Sequence, residues 1–171
     1  MTLTLILGGA RSGKTALALR LAEARSAAPV LIATAEALDA EMEDRIARHR
    51  AERGPHWTTV EAPLDLAGAL CALPADQMAL VDCLTLWLSN LMHAERDLEA
   101  ETAALIATLA GRPVILIANE VGLGIVPDNA LARRYRDAAG RLNQTLAAAC
   151  DQVVFVAAGL PLALKGEAVG V

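Results

Sequence analysis

Aromatic side chains are scarce in this sequence. Its 171 residues include two Trp, one Tyr and one Phe, although 55% of the residues are hydrophobic. The core must therefore be built from aliphatic side chains, and base stacking on aromatic platforms is not an expected binding mode. A surplus of basic residues is lacking as well, since the formal net charge is −5. This balance argues against a broad surface for nucleic acid or for an anionic membrane.

The sequence also shows no cysteine pattern typical of disulfides or zinc sites, no long apolar run and no signal-peptide pattern. Cys71, Cys83 and Cys150 are far apart and form no CxxC pair, so neither a disulfide framework nor a zinc site is predicted. No apolar run reaches the ~18 residues that a membrane span needs. The first residues lead directly into a strand pattern and show no signal-peptide features. We expect one cytoplasmic domain, residues 1–171, that is soluble and has a sizeable core.

The most informative segment that is present is rich in glycine. It matches the phosphate-loop pattern of glycine, four residues, glycine, lysine and then serine or threonine, and its residues are Gly8, Gly9, Ala10, Arg11, Ser12, Gly13, Lys14 and Thr15. An apolar strand is predicted before it at 3–7 and a helix after it at 15–25. Backbone N–H groups of such a loop, with the start of the helix, bind phosphate oxygens.

Two side chains of this loop have specific expected roles. Lys14 would contact the outer phosphates, and the Thr15 hydroxyl would hold a Mg²⁺ ion. The alternative is a glycine-rich turn without a ligand. The complete pattern at a strand–helix junction favours a nucleoside-triphosphate site.

The rest of the chain alternates between strand and helix patterns. Strands are predicted at 30–34, 57–60, 78–81, 113–118 and 152–157, and helices at 39–53, 64–72, 84–92, 98–109 and 130–149. The predicted core face of the last helix comprises Leu131, Tyr135, Ala138, Leu142, Leu146 and Ala149. The residues from Gly159 onward are predicted to form a short tail. The alternation predicts an α/β fold, a single-domain P-loop nucleoside-triphosphatase of the RecA-like type, whose mainly parallel sheet is flanked by helices.

In such sheets the ligand binds beyond the carboxyl ends of the strands. The phosphate loop, Thr34, Glu61, Asp82 and Glu120 should therefore lie at one edge. Asp82 ends an apolar strand, where a nucleoside triphosphatase carries its magnesium-orienting carboxylate, although an ordinary turn residue is the alternative. Glu120 is a candidate substrate contact, with a general base and an indirect magnesium contact also open. The apolar, glycine-bearing loop 121–127 is a candidate substrate-contacting element.

His49 is a candidate nucleophile on the predicted helix 39–53. Arg45 and Arg53 lie four residues away on either side, on the same helix face. Such cations favour the neutral imidazole that a nucleophile needs, and they attract phosphate. A half-buried or solvated helix histidine is the other interpretation and the more common one. The residues alone leave this choice open.

Several segments taken in order resemble one family. They are the phosphate loop, Ile32-Ala33-Thr34, Asp39 to Arg53 with His49, Trp57, Glu61, Val81 to Thr85, and Asn119-Glu120-Val121-Gly122 through Ile125-Val126-Pro127 to Gln144. The sequence resembles the bifunctional adenosylcobinamide kinase / adenosylcobinamide-phosphate guanylyltransferases of cobalamin biosynthesis. The resemblance extends to about Lys165.

This resemblance implies two successive reactions. First, ATP or GTP phosphorylates the aminopropanol hydroxyl of adenosylcobinamide. Then His49 attacks the α-phosphate of GTP, releases pyrophosphate and carries GMP to the phosphorylated corrinoid, which gives adenosylcobinamide-GDP. The implied partners are thus a corrinoid and a nucleoside triphosphate, and the implied assembly is a homo-oligomer, with a trimer expected.

The resemblance also implies a set of site residues. The implied nucleotide contacts are Gly8 through Thr15, Ile32, Ala33, Thr34, Arg50, Ala51, Glu52, Arg53, Glu61 and Asp82. Thr15 and Asp82 are the implied Mg²⁺ ligands, and Lys14 and His49 the implied catalytic residues.

Two other functions fit parts of the pattern. A small-molecule kinase of the same fold would not need His49. A nucleotide-switched binding protein would hydrolyse its nucleotide slowly and without dependence on a corrinoid, but the low aromatic content offers little material for a protein interface.

Overall fold

A computed structural model describes residues 2–35 and 54–167 of the chain. The strands within these residues are β1 (Thr4–Gly8), β2 (Val30–Ala33), β3 (Thr58–Glu61), β4 (Ala79–Asp82), β5 (Val114–Asn119), β6 (Gln152–Ala157) and β7 (Leu160–Lys165). The helices are α1 (Lys14–Arg25), α2 (Leu66–Cys71), α3 (Leu84–His93), α4 (Leu98–Leu109) and α5 (Ala130–Ala149). None of the helices in the described ranges combines the length and the apolar character of a membrane span.

The strands of the described residues form one sheet in the order β3-β2-β4-β5-β1-β6-β7. Neighbouring strands pair in parallel from β3 to β6, and β7 pairs with β6 in the antiparallel sense. Parallel pairing requires crossover connections, and helices supply them between most of the strands. The predicted α/β fold with a mainly parallel sheet is confirmed.

The hydrophobic core lies on both faces of this sheet. Successive side chains of a strand point to opposite faces, and in β1 Leu5 and Leu7 belong to one cluster and Ile6 to another. The larger cluster contains residues of α2, α3, α4 and α5. The smaller cluster contains Leu17 and Ala18 of α1. With both faces covered, β1 is buried along its whole length, and the loop that follows it starts from a rigid strand.

Helix α5 confirms the predicted bounds, but its core face is shorter than predicted. Ala138, Leu142 and Leu146 are buried, whereas Leu131 and Ala149 are exposed, so the prediction was wrong for these two residues. Leu131 lies in the first turn, two turns before the buried part of the helix begins at Ala138. The buried face also includes Ala139 and Asn143, so it is turned away from Ala149, although Leu146 and Cys150 on either side are buried.

The predicted tail is instead a strand. Ala157 pairs with Leu160, and the two residues between them, Ala158 and Gly159, turn the chain with φ of 51° and 80°. Positive φ at both central residues is typical of a two-residue hairpin turn, in which the twist of the turn matches the twist of its strands. The prediction of a tail was wrong because alanine in the first of these positions does not signal such a turn.

Candidate nucleotide site

The phosphate loop connects the end of β1 to the start of α1. Its backbone turns tightly, since Arg11 has φ of 54° and Gly13 has φ of 97°. The Ser12 N–H donates to the carbonyl of Gly9 at 3.3 Å. Lys14 opens α1, and its Nζ donates to the same Gly9 carbonyl at 3.0 Å. The ammonium group is thus held against the loop, and the side chain is only 8% exposed.

β6 and the hairpin turn at residues 158 and 159 pack tightly against the phosphate loop. A Cβ on Gly8 would lie 2.6 Å from Ser12 Oγ and 2.6 Å from the Val156 carbonyl oxygen. The Gly159 N–H donates to the Ser12 carbonyl at 2.8 Å, and a Cβ on Gly13 would lie 3.1 Å from the Gly159 Cα. These contacts fix the loop in one conformation. Gly159 was not predicted as a site residue, since its contact is made across more than 140 positions of sequence.

Among the described residues the Ser12 hydroxyl finds no hydrogen-bond partner, although it is buried inside this loop. An unsatisfied buried hydroxyl is costly and uncommon. A bound phosphate oxygen would supply the missing partner. The loop therefore fits a phosphate-bearing ligand by its hydrogen-bonding needs as well as by its sequence.

Hydrogen bonds from Thr34 hold the backbone at the end of β4, where Asp82 lies. The buried Thr34 hydroxyl donates to the Cys83 carbonyl at 2.7 Å and accepts from the Cys83 N–H at 2.8 Å. The Thr34 N–H donates to the Asp82 carbonyl at 3.2 Å. Burial, with a smaller contribution from the Asp82 carboxylate, raises the pKa of the Cys83 thiol, which keeps it neutral. Thr34 thus fixes the strand end that carries Asp82.

The register of the sheet sets the spacing between Asp82 and the phosphate loop. β5 lies between β4 and β1, with Asp82 opposite Ile117 and Gly8 opposite Asn119. Two inter-strand spacings separate β4 from β1 by about 10 Å. Asp82, which is half-buried, thus lies across the carboxyl edge from the loop.

Asn119 and Glu120 occupy the middle of this edge. The Glu120 N–H donates to the Gly8 carbonyl at 3.0 Å, so the chain leaves β5 directly beside the phosphate loop. The Asn119 N–H donates to Thr85 Oγ1 at 2.7 Å, and the buried Asn119 Oδ1 has no hydrogen-bond partner in the part of the chain that the structure describes. Asn119 is a polar group next to the phosphate loop that sequence reasoning treated only as the start of the following loop.

The remaining predicted site residues fall into three groups. Ile32 and Thr34 have fully buried side chains and Ala33 is half-buried. Glu61 is exposed at the same sheet edge, but β3 is four strands from β1, which corresponds to about 19 Å. The third group lies outside the described residues and comprises His49, Arg50, Ala51, Glu52 and Arg53.

Solved structures share this fold at low sequence identity. The flagellar accessory protein FlaH of Methanocaldococcus jannaschii aligns with a TM-score of 0.55 and 13% identity, covering 97% of this chain and 79% of its own. The RadB recombinase aligns with a TM-score of 0.52 and 20% identity, covering 90% of this chain and 73% of its own. These similarities identify the fold as that of P-loop nucleoside triphosphatases with a RecA-like sheet.

Two curated relatives match over almost their full lengths. The bifunctional adenosylcobalamin biosynthesis protein CobP of Pseudomonas aeruginosa is 52% identical over 168 residues, covering 95% of this chain and 97% of its own. The protein CobU of Salmonella typhimurium, which carries the same description, is 42% identical over 182 aligned positions, covering 94% of this chain and 98% of its own. Residues 4–164 match the CobU family model, described as cobinamide kinase / cobinamide phosphate guanyltransferase. The chain therefore belongs to the CobU family.

Proposed function

We propose that this protein is a bifunctional enzyme of cobalamin biosynthesis. It phosphorylates the aminopropanol hydroxyl of adenosylcobinamide with ATP or GTP, and it then transfers GMP from GTP to the product. The observation that carries this proposal is the family match over residues 4–164, which includes a complete phosphate loop with an unsatisfied Ser12 hydroxyl.

In the kinase step the phosphate loop binds and orients the nucleotide. Backbone N–H groups of residues 8–15 and the positive end of α1 bind the phosphate oxygens. Lys14 stabilises the charge that develops on the transferred phosphoryl group. When it does so, the ammonium group exchanges the neutral Gly9 carbonyl for negatively charged phosphate oxygens as its acceptors.

Thr15 and Asp82 would hold a magnesium ion in this step. Their hydroxyl and carboxylate oxygens are hard ligands, which this ion prefers, and it commonly takes its other ligands from phosphates and water. Among the described residues no cluster of three or more His, Cys, Asp and Glu side chains could hold a metal on its own. This donor set fits an ion that arrives with the nucleotide. When bound, the ion neutralises phosphate charge.

In the guanylyltransfer step His49 is the nucleophile. A ring nitrogen forms a bond to the α-phosphorus of GTP as the bond to the bridging oxygen breaks, and pyrophosphate leaves. A phosphate oxygen of the corrinoid then attacks the same phosphorus and frees the histidine. Residues 32–34, 50–53 and Glu61 contribute to nucleotide binding. The position of Glu61, far from the loop along the sheet edge, suits the nucleoside end of the ligand rather than the phosphates.

The decisive experiment measures the covalent intermediate. The protein is incubated with Mg²⁺ and GTP labelled on the α-phosphate, denatured, and counted for bound label. We expect label that is labile in acid and stable in alkali, and we expect it to be lost in His49→Ala. His93→Ala is the matched control, since His93 is exposed at the end of α3, where its Nδ1 pairs with the Ser89 carbonyl.

The other outcome is equally informative. If a folded, nucleotide-binding wild-type protein takes up no label, the covalent step is excluded, and a kinase of the same fold without guanylyltransferase activity becomes the better description. We also propose a cytoplasmic homo-oligomer, with a trimer as the expected state, on the basis of the family resemblance.

A further inference from the structure

The segment after β5 exposes large aliphatic side chains to solvent. Leu123 is 81% exposed, Ile125 97% and Val126 62%, and Leu131 in the first turn of α5 is 57% exposed. We call these four residues the apolar patch. Contiguous exposed apolar surface on a folded protein commonly marks a site of interaction. The composition of the chain does not force this exposure, because similar side chains elsewhere fill the core.

Hydrogen bonds at both ends hold this segment in place. At its start the Gly122 N–H donates to Glu120 Oε1. At its end Arg133 Nη1 donates to the carbonyls of Pro127 at 2.9 Å and Asp128 at 2.6 Å. The side chain of Asn129 caps α5 by accepting from the Ala132 N–H at 2.7 Å. The backbone is thus fixed while the aliphatic side chains point away from the core.

The segment that carries the apolar patch starts next to the phosphate loop. Glu120, immediately before the segment, bonds through its N–H to the Gly8 carbonyl. A phosphoryl acceptor must bring its hydroxyl to about 3–3.5 Å from the phosphorus that it attacks. Any large body attached to that hydroxyl must therefore lie near the mouth of the loop, and the segment that carries the patch leaves the sheet beside this loop.

We propose that the apolar patch binds the macrocyclic ring of the corrinoid substrate. This inference rests on the proposed function, which supplies the substrate class. A corrinoid is a broad, largely apolar ring with amide side chains at its rim, joined by an aminopropanol arm to the hydroxyl that reacts. This chain has few aromatic residues. Aliphatic side chains can cover the face of such a ring in their place.

A second apolar surface provides the contrast. Leu160, Leu162 and Leu164 of β7 are also exposed. Because β7 is antiparallel to β6, this row runs away from the carboxyl edge of the sheet, where the phosphate loop lies. Leu160 follows the hairpin turn at that edge, but Leu162 and Leu164 lie progressively further from it. Most of this row is therefore out of reach of an acceptor that enters the loop by a short arm, and the apolar patch is the better candidate.

The test is the kinetics of Ile125→Ser and of Leu123→Ser/Ile125→Ser. Both side chains are exposed, so these changes leave folding intact. We expect the KM for adenosylcobinamide to rise about tenfold or more in the double variant, because burying an aliphatic side chain is worth roughly that factor in affinity. The KM for the nucleotide and the labelling by α-labelled GTP without corrinoid should stay unchanged. Leu162→Ser is the control and should change neither KM.

Each other outcome contradicts the inference in a distinguishable way. An unchanged corrinoid KM in active variants would overturn this inference and leave the proposed function standing. A variant that sediments as a smaller species than wild type would assign the apolar patch to a contact with a second copy of the chain. Wild-type protein that transfers no phosphate to adenosylcobinamide would overturn the proposed function, and the inference with it.

Discussion

At the scale of the residue, the glycines of the phosphate loop differ in how much room each leaves for a side chain. Gly8 is enclosed by Ser12 Oγ and the Val156 carbonyl, whereas a Cβ on Gly9 would meet no atom of residues 2–35 or 54–167 within 4 Å. We expect Gly8→Ala to lower the free energy of unfolding by about 1–3 kcal/mol, as overpacking of a rigid site does. Gly9→Ala should change it by less than about 0.5 kcal/mol. Urea unfolding measures both, and equal losses in the two variants would refute the packing argument.

Residues also differ in how well the sequence predicted them. Lys14 and Asp82 were placed at the carboxyl edge of the sheet because each lies within a local pattern: a loop motif or the end of an apolar strand. The hydrogen bonds of Thr34 with Cys83, and of Gly159 with Ser12, join distant segments. No local pattern contains such pairs. The roles of the predicted nucleotide contacts, including Arg50 to Arg53 outside the described residues, stay predictions.

At the scale of the element, the sequence predicted the strands β1 to β6 and the described helices to within two residues or so. Strong apolar runs and clear stop signals explain this success, for example the Asp97 cap of α4, which accepts from Glu99 and Ala100. β7 was missed because it is an edge strand that contains a proline, Pro161, and follows a turn with an unusual first residue.

The hairpin that contains β7 also supports the phosphate loop, which leads to a prediction. Gly159 has φ of +80° and Gly111 has φ of +72°, and a Cβ on either would meet nothing within 4 Å. Alanine at either position should cost about 1 kcal/mol in the free energy of unfolding, from backbone strain alone. Of these two variants only Gly159→Ala should weaken nucleotide binding, because Gly159 donates to the Ser12 carbonyl of the phosphate loop.

The measurement is titration of each variant with GTP, monitored by calorimetry. We expect the dissociation constant to rise severalfold in Gly159→Ala and to match that of wild type in Gly111→Ala. The same loss of affinity in both variants would mean that general destabilisation, rather than the contact with the loop, is responsible.

At the scale of the whole molecule, stability should depend on alkaline pH through groups that the fold withdraws from water, and Cys150 and Tyr135 are two of them. Burial raises the pKa of the Cys150 thiol from 9.0 to about 12, with Lys165 opposing and Asp151 adding to the shift. Burial also raises the pKa of the Tyr135 hydroxyl from 10.0 to about 12. The folded chain therefore keeps these protons to a higher pH than the unfolded chain does.

The sign follows from this difference in proton binding. Below about pH 9 both states hold the protons, so the contribution to stability is complete; it is lost as the pH rises towards about 12. Urea unfolding at a series of pH values should show this decline, and Cys150→Ala should make it shallower. Cys71→Ala, at an exposed cysteine, should leave the slope as in wild type. An identical slope in Cys150→Ala would exclude the role of that thiol.

The contact between Gly159 and Ser12 has a consequence for the synthesis of the protein. The phosphate loop emerges first from the ribosome, but its supports are among the last residues made: β5 and β6 flank β1, and the hairpin turn follows them. A nascent chain cannot complete its nucleotide site until residue 159 has been translated and the long-range pairing has formed. We therefore expect chains whose translation stops before residue 159 to contain the complete motif and yet to lack the supports that hold the loop in its binding conformation.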